Sequence, residues 1–382
     1  MCDEPGAAIR FSVVRGAFLW ITILCSLPFG TVAADQKTNE KLERLWKQVL
    51  NDPTDVQSNI KYALQAEDDG YYQRAISAYV RALNNDPANA IASRNLAKLG
   101  RLTGPAETSG TLIVSGSYNA NSSQTRHNAK GDTALSKTLL VSDSRTFLNT
   151  RWNSSIVNFA DVHSSLRNSD VIFTSFKSGP TWFLTSESSF NVSAIFDHTF
   201  IDKKTDSFAF GITGHYIQGA QKIKSLTTTL KYTKGVNQGD LNYTNLSLSS
   251  VIAIADNFLF ENDHLVLEPS FAINMNKNGF DSAGQRDRLV DSTLGLTYSI
   301  GLTERQSMDV FLVLQSTYYF KHRMSDSRNR IDLVHNIGFS FNYKLFEKVS
   351  ASIGFGREQK LSNFNEFHYV NYTTNTSLIV SF

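Results

Sequence analysis

From Thr111 to Phe382, apolar and polar residues alternate with a period of two in one segment after another. Thr293 to Leu302 is the clearest case. Leu294, Leu296, Tyr298, Ile300 and Leu302 fall on one face, and Thr293, Gly295, Thr297, Ser299 and Gly301 on the other. The same pattern runs through Phe208/Phe210/Ile212, Leu226/Thr228/Leu230/Tyr232, Met308/Val310/Leu312/Leu314, Ile337/Phe339/Phe341/Tyr343 and Val349/Ala351/Ile353/Phe355. Successive side chains of a strand point to opposite faces. Each segment is therefore predicted as a strand with one apolar face and one small, polar face.

A soluble sandwich also alternates. Two features select a transmembrane barrel instead. The candidate strands run about 10 to 15 residues, against about 5–6 in soluble sheets. Aromatic residues collect near their ends (Tyr118, Trp152, Trp182, Tyr216, Tyr232, Tyr318, Tyr319, Phe320, Tyr343, Tyr372), as interfacial girdles do. Composition agrees: 26 Phe and 14 Tyr against 7 Pro, with a near-neutral mean hydropathy of −0.23. A helical membrane protein needs runs of about 20 apolar residues, whereas alternating strands average to neutral.

Connections alternate short and long. Short ones are predicted near Ser142–Ser144, Lys177–Thr181, Gly219–Gln221, Thr303–Arg305 and Phe346–Lys348. Long ones are predicted near 121–133, 160–168, 197–205, 276–287, 321–329 and 359–366. The count is even, about 14, with 12 as the alternative because Ala134–Val141 and Asp170–Phe176 alternate weakly. Pro269, which has no N–H for a ladder bond, predicts a bulge. In the last strand Val370, Tyr372, Leu378, Val380 and Phe382 share one face. A final Phe behind such an alternation resembles the C-terminal signal read by the barrel-assembly machinery.

Residues 1–34 read as a signal peptide. Arg10 and Arg15 precede the apolar run from Gly16 to Gly30, and Ala33-Ala34 precede Asp35. Both cysteines, Cys2 and Cys25, lie there, so the mature chain is predicted to carry no thiol. Leu24 before Cys25 is not the small residue of a lipoprotein signal.

Residues 35–103 change character and form the second predicted part. Residues 104–110 are predicted as a linker and 111–382 as the barrel. Val49-Leu50-Asn51-Asp52-Pro53 is echoed by Leu83-Asn84-Asn85-Asp86-Pro87, a spacing of 34 residues, which is the tetratricopeptide period. Gly70 permits a tight turn between two helices. Ala63, Ala75 and Ala82 are small where helices approach, and Tyr79 and Leu83 fill the same face. Asn59 stands where such repeats often carry Trp. The concave face of the first helix, near Gln57, Ile60, Leu64 and Glu67, is the predicted docking surface for cargo; a helical plug or brace for the barrel is the alternative.

The predicted fold class is thus α+β and multidomain: a short helical module ahead of an antiparallel barrel. The charge balance of +2 gives no case for nucleic acid. The eight histidines are scattered, with none at metal-ligand spacing. No nucleophile–base motif stands out, and neither catalysis nor a cofactor is predicted. Predicted lumen charges are Lys224, Lys231, Glu268, Asp309 and Lys344, with Arg357 a further candidate; both signs occur. Basic residues in the outer loops (Arg126, Lys130, Lys203, Lys204, Arg286, Arg288, Arg323, Arg328, Arg330) suit lipopolysaccharide phosphates or plain solvation.

Leader, repeat and barrel together resemble outer-membrane export proteins, in particular the surface lipoprotein assembly modifiers. Gly116-Ser117-Tyr118-Asn119-Ala120-Asn121 looks like their first-strand run, with Asn in place of Asp. The exopolysaccharide-export porins are the second branch, but carry long repeat arrays. The resemblance implies an outer-membrane conduit with a periplasmic helical module and a protein or polysaccharide cargo. A passive porin with a helical plug is the rival.

Overall fold

The computed structural model describes residues 36–382 except 127–128, 148, 167–168, 186, 203, 220–222, 237–241, 277–288 and 324–328. The predicted signal peptide lies outside the described residues. Among the described residues four helices come first: α1 Gln36–Asn51, α2 Val56–Asp68, α3 Tyr72–Asn85 and α4 Ala90–Thr103. The chain divides into two compact units between Ala92 and Ser93, so α4 begins in one and ends in the other.

In the helical unit, Ala63, Ala66, Ala75, Ala78, Tyr79 and Ala82 are fully buried, and α2 and α3 meet through this small-residue seam. Gly70 takes a positive φ of 78° between them, a conformation that favours glycine. Asn59 is buried and polar for a reason. Its amide donates to the carbonyls of Pro53 (2.9 Å) and Asp55 (2.9 Å), and its oxygen accepts from Arg81 Nε (2.9 Å). It ties the helix start to α3, which a Trp could not do.

Asp55 caps α2, accepting from the backbone N–H groups of Gln57 (3.1 Å) and Ser58 (3.1 Å) and from the Ser58 hydroxyl (2.5 Å). The Ser58 hydroxyl, followed by these N–H groups, holds the Asp55 carboxyl below its usual pKa. A carboxylate favoured in the fold stabilises above its unfolded pKa and loses that contribution as pH falls. Asp55→Asn is expected to keep α2 capped while removing its acid sensitivity below about pH 4. Hydrogen exchange of the α2 amides across pH checks this; an unchanged pH profile in the variant refutes it.

Fourteen antiparallel strands close into a barrel, each paired with its sequence neighbours and β1 with β14. They are β1 Glu107–Asn119, β2 Asp132–Phe147, β3 Thr150–His163, β4 Val171–Phe183, β5 Ser188–Ile201, β6 Lys204–Gln218 and β7 Ile223–Gly235. The second half comprises β8 Tyr243–Asp256, β9 Asp263–Asn276, β10 Leu289–Gly301, β11 Gln306–Arg323, β12 Asn329–Phe346, β13 Val349–Ser362 and β14 Tyr369–Ser381. A single 3-10 turn, Asn365–Phe367, lies between β13 and β14. Closure removes the sheet edge that lipid cannot satisfy.

Several predicted boundaries move. β1 starts at Glu107, inside the predicted linker; Glu107 to Gly110 hold no large apolar residue, so no period marks them. Ser142–Ser144 and Lys177–Thr181 are not turns but run inside β2 and β4. The strands continue to Phe147 and Phe183, and the next ones start at Thr150 and Ser188. The long connection expected at 197–205 is mostly strand: β5 runs to Ile201 and β6 starts at Lys204, with Asp202 at φ 49°, the left-handed backbone of tight hairpins. Pro269 makes no bulge. It keeps its partner Leu294 on β10, while Ser250 and Val251 on β8 pair with β7 but not with β9, and the register shift falls at Ala253/Ala255.

We call the end where β1 begins and β14 finishes the turn end, and the opposite end the loop end. On the outer wall, Trp152, Trp182, Tyr216 and Tyr343 stand near the turn end and Tyr118, Tyr232, Tyr318 and Tyr372 near the loop end. Tyr319, expected among them, points inward, opposite Leu289. Between the belts the wall is apolar on most strands, with Phe176, Phe210, Ile212, Leu230, Leu248, Phe271, Leu294, Ile337 and Phe355 exposed. A surface of this kind is stable only against hydrocarbon, so the barrel is membrane-spanning.

Candidate functional site: the lumen and its two ends

Register fixes which side chains face inward. Across β5–β7 the inner row reads Ser193, Thr213 and Thr229, with Asn191, His215 and Thr227 beside it. At the turn end this wall, together with Ser142, Asn153 and Lys177, encloses a cavity of about 490 Å³. Its lining is mostly hydroxyl and amide, with Glu107, Asp143 and Lys177 as its charged residues. Thr213 and Thr229 hydrogen-bond across strands (3.0 Å), and Asn191 donates to the Thr181 hydroxyl (2.9 Å).

Among the predicted lumen charges, Lys231 lies on the inner face and pairs with Asp197 (2.9 Å), which also accepts from Ser175 (2.6 Å). Glu268 is inward, opposite Gly295. Asp309 is inward and accepts from Asn342 (2.8 Å). Lys344 shares the inner row at the end of β12, opposite Ser350. Lys224 does not join them. It falls in a bulge between Ile223 and Ser225, and its ammonium donates to the Gly219 carbonyl (3.2 Å). Arg357 lies on the outer wall, opposite Ile337 and Tyr372.

The lumen also carries more charge than the sequence suggested. At the loop end, buried Arg330 grips buried Asp332 through Nε (2.9 Å) and Nη2 (2.5 Å), and Lys360 adds a second cation (2.8 Å). The guanidinium sits between the Tyr319 ring (4.6 Å) and the Phe367 ring (3.4 Å). Phe367 belongs to the 3-10 turn, so this ion pair anchors the β13–β14 connection. Arg330, expected in an outer loop, is therefore an interior residue. Lys203, Arg286, Arg288 and Arg328 lie outside the described residues.

Across the barrel His163 lies between two carboxylates, 3.0 Å from Asp132 and 3.4 Å from Asp161, while Ser164 and Ser165 donate to Asp132 (2.7 and 2.8 Å). Both imidazole nitrogens face acids, and the hydroxyls bond the acid rather than the base, so no nucleophile is activated here. Among the described residues no group of His, Cys, Asp or Glu is arranged to hold a metal ion.

At the turn end, the last residues of α4 are fastened to the inner wall. Arg151, 5% exposed, donates through Nη1 to the Gly104 carbonyl (2.8 Å), through Nη2 to the Pro105 carbonyl (3.0 Å) and through Nε to Ser144 (2.8 Å). Thr146 donates to the Leu102 carbonyl (2.5 Å), and Arg101 lies over the Phe183 ring at 4.2 Å. A guanidinium at a helix C-terminus meets the negative end of the helix dipole and its unpaired carbonyls. Residues 101–105 thus form a strap on the lumen side of the mouth. Arg151 alternates with Asn153 and Ser155 on the inner face, and that parity was its one sequence signal.

The predicted docking residues separate. Gln57 and Leu64 are exposed, but Ile60 is in the core and the Glu67 carboxylate accepts from the Tyr79 hydroxyl (3.0 Å). The open face of α2 carries Gln57, Lys61, Leu64 and Asp68 instead. A groove of about 680 Å³ opens elsewhere, between α1 and α3, over Trp46, Tyr62, Arg74, Ser77 and Arg81. The Arg81 guanidinium lies 5.5 Å from the centre of the Trp46 ring.

No family model matches the sequence, and no curated protein matches it. Solved structures similar to it include a bacterial polysaccharide outer membrane secretin (8% identity, 72% of this chain and 98% of that one, TM-score 0.42). Others are the outer membrane channel DcaP of Acinetobacter baumannii (9%, 72% and 97%, 0.44) and an anion-selective porin from Comamonas acidovorans (9%, 73% and 99%, 0.39). Likenesses this distant carry nothing about function.

Proposed function

We propose that this chain is an outer-membrane conduit for hydrophilic cargo, with its turn end and helical unit in the periplasm. The observation that carries the reading is the inside-out register: an apolar outer wall closed by β1–β14 around a lumen of hydroxyls, amides and paired charges. The strap supports the reading, because it fixes residues 101–105, which lead into β1, at the turn-end mouth. We further assign cargo contact to the Trp46–Arg81 groove rather than to α2. Surface protein or lipoprotein is the proposed cargo, following the family resemblance. Lipopolysaccharide and the barrel-assembly machinery are the proposed partners of the barrel.

The full chain, reconstituted in planar bilayers, is expected to give discrete conductance steps. A protein that inserts but never conducts contradicts the conduit. Removing residues 40–89 leaves α4 and its strap in place. Conductance is expected to persist, while the set of proteins labelled at the cell surface loses members. An unchanged surface set would leave the passive porin as the correct reading.

A further inference from the structure

Arg357 is a cation on a wall built for lipid. It faces outward between Ile337 and Tyr372, and His335 and Gln359 stand on the same face one row nearer the loop end. Arg357 Nη2 donates to Gln359 Oε1 (2.7 Å), and His335 Nε2 lies 3.1 Å from that oxygen. Leu333, Leu314, Phe339, Ile353 and Leu361 stand around them on β11–β13, with Thr374 of β14 opposite Phe355. Below Arg357 a trough of about 600 Å³ runs down the outer wall over Ile337, Phe339, Phe355, Val310 and Met308. Arg357 and Tyr372 close its upper end.

The two halves of this feature ask for different chemistry. A trough walled by carbon takes an acyl chain. A guanidinium with one donor committed to Gln359 has four more N–H groups to place, and a phosphate accepts them in pairs. One molecule supplies both. An outward Arg is costly at the bilayer midplane and far less so near an interface; its level beside Tyr372, in the loop-end belt, puts it at headgroup depth.

We propose that this trough binds one phosphorylated glycolipid of the lipid A type, phosphate on Arg357 and one chain over Phe339 and Phe355. The choice of lipid A rests on the reading above, in which the loop end faces the outer leaflet.

The test is native mass spectrometry of the full chain in neutral detergent. The probes are bisphosphorylated lipid A, its dephosphorylated form and phosphatidylglycerol. Wild type is expected to retain bisphosphorylated lipid A, and Arg357→Gln to retain it about tenfold less, the loss expected for charge-assisted hydrogen bonds. Dephosphorylated lipid A is expected to bind as weakly to wild type. Ile337→Trp fills the trough, leaves the guanidinium in place and is expected to lose the lipid too. Retention by both variants overturns the site, and Arg357-dependent retention of phosphatidylglycerol as strong as that of lipid A overturns the assigned lipid. Both variants are expected to keep wild-type conductance and heat-modifiable migration. Normal conductance without lipid retention sinks the lipid site alone. Lipid retention without conductance sinks the conduit alone.

Discussion

Replacing Arg330 by alanine is expected to destabilise the loop end by about 3–5 kcal/mol, the cost of removing one partner from a buried ion pair. Arg330 and Asp332 are both nearly inaccessible, with side chains 5% and 2% exposed. Loss of the guanidinium removes one of the two cations bonded to Asp332, leaving Lys360, and takes the cation from between Tyr319 and Phe367. The β13–β14 connection loses its anchor at the same time. Arg330→Lys keeps the charge but not the fork that reaches both carboxylate oxygens, so it is expected to fall between wild type and alanine. Arg330→Ala combined with Asp332→Asn is expected to recover nothing, because Lys360 then loses its carboxylate partner. The temperature at which the folded band disappears on a semi-native gel measures this. Equal values for wild type and Arg330→Ala would show that the pair contributes nothing.

The second large effect is at the other mouth. Arg151→Ala with Phe183→Ala is expected to release the strap and raise the mean conductance. The substitution removes two charged hydrogen bonds to carbonyls, each worth about 1.5–3 kcal/mol, plus the Arg101–Phe183 stack. A loss of that size shifts a held-versus-released equilibrium by more than about tenfold. Single-channel recordings should show closures that are shorter by that factor, or absent. Thr146→Val removes only the Leu102 contact and is expected to have a smaller effect in the same direction. Identical conductance in all three proteins would mean that residues 101–105 do not restrict the passage.

Much of the barrel was legible because a strand in a membrane wall must alternate. β10 from Thr293 and β12 from Ile337 declare both faces, and the outer row of β14, from Val370 to Val380, pairs with Leu112 and Val114 on β1 as its pattern implies. The weak strands were weak for a physical reason. In β2 and β3, Leu140, Val157 and Phe159 point inward while Lys137 and Asn158 point outward, so apolar residues do not mark the lipid face there. Segments such as Ser142–Ser144 read as turns because an inner wall of serine looks like a loop. The helical pair was readable from Gly70 and its alanines, but the docking face was not. Helical spacing selects a stripe, and only packing against α3 showed that Ile60 and Glu67 lie on the covered side of it.

By itself, then, the sequence determined that the C-terminal part of this chain alternates, that it carries enough strand to close, and that helices precede it. The tertiary structure alone decided the side on which each mixed row lies. Period two defines two faces but not which is outward, and only the closed ladder, pairing β1 with β14, fixes that. It sent Arg357 to the lipid and Arg330 to the interior. It also brought Arg151 to the carbonyls of residues 104 and 105, a contact between residues 46 and 47 positions apart. No local pattern encodes such a contact, because it depends on where a helix end meets the rim of a closed barrel.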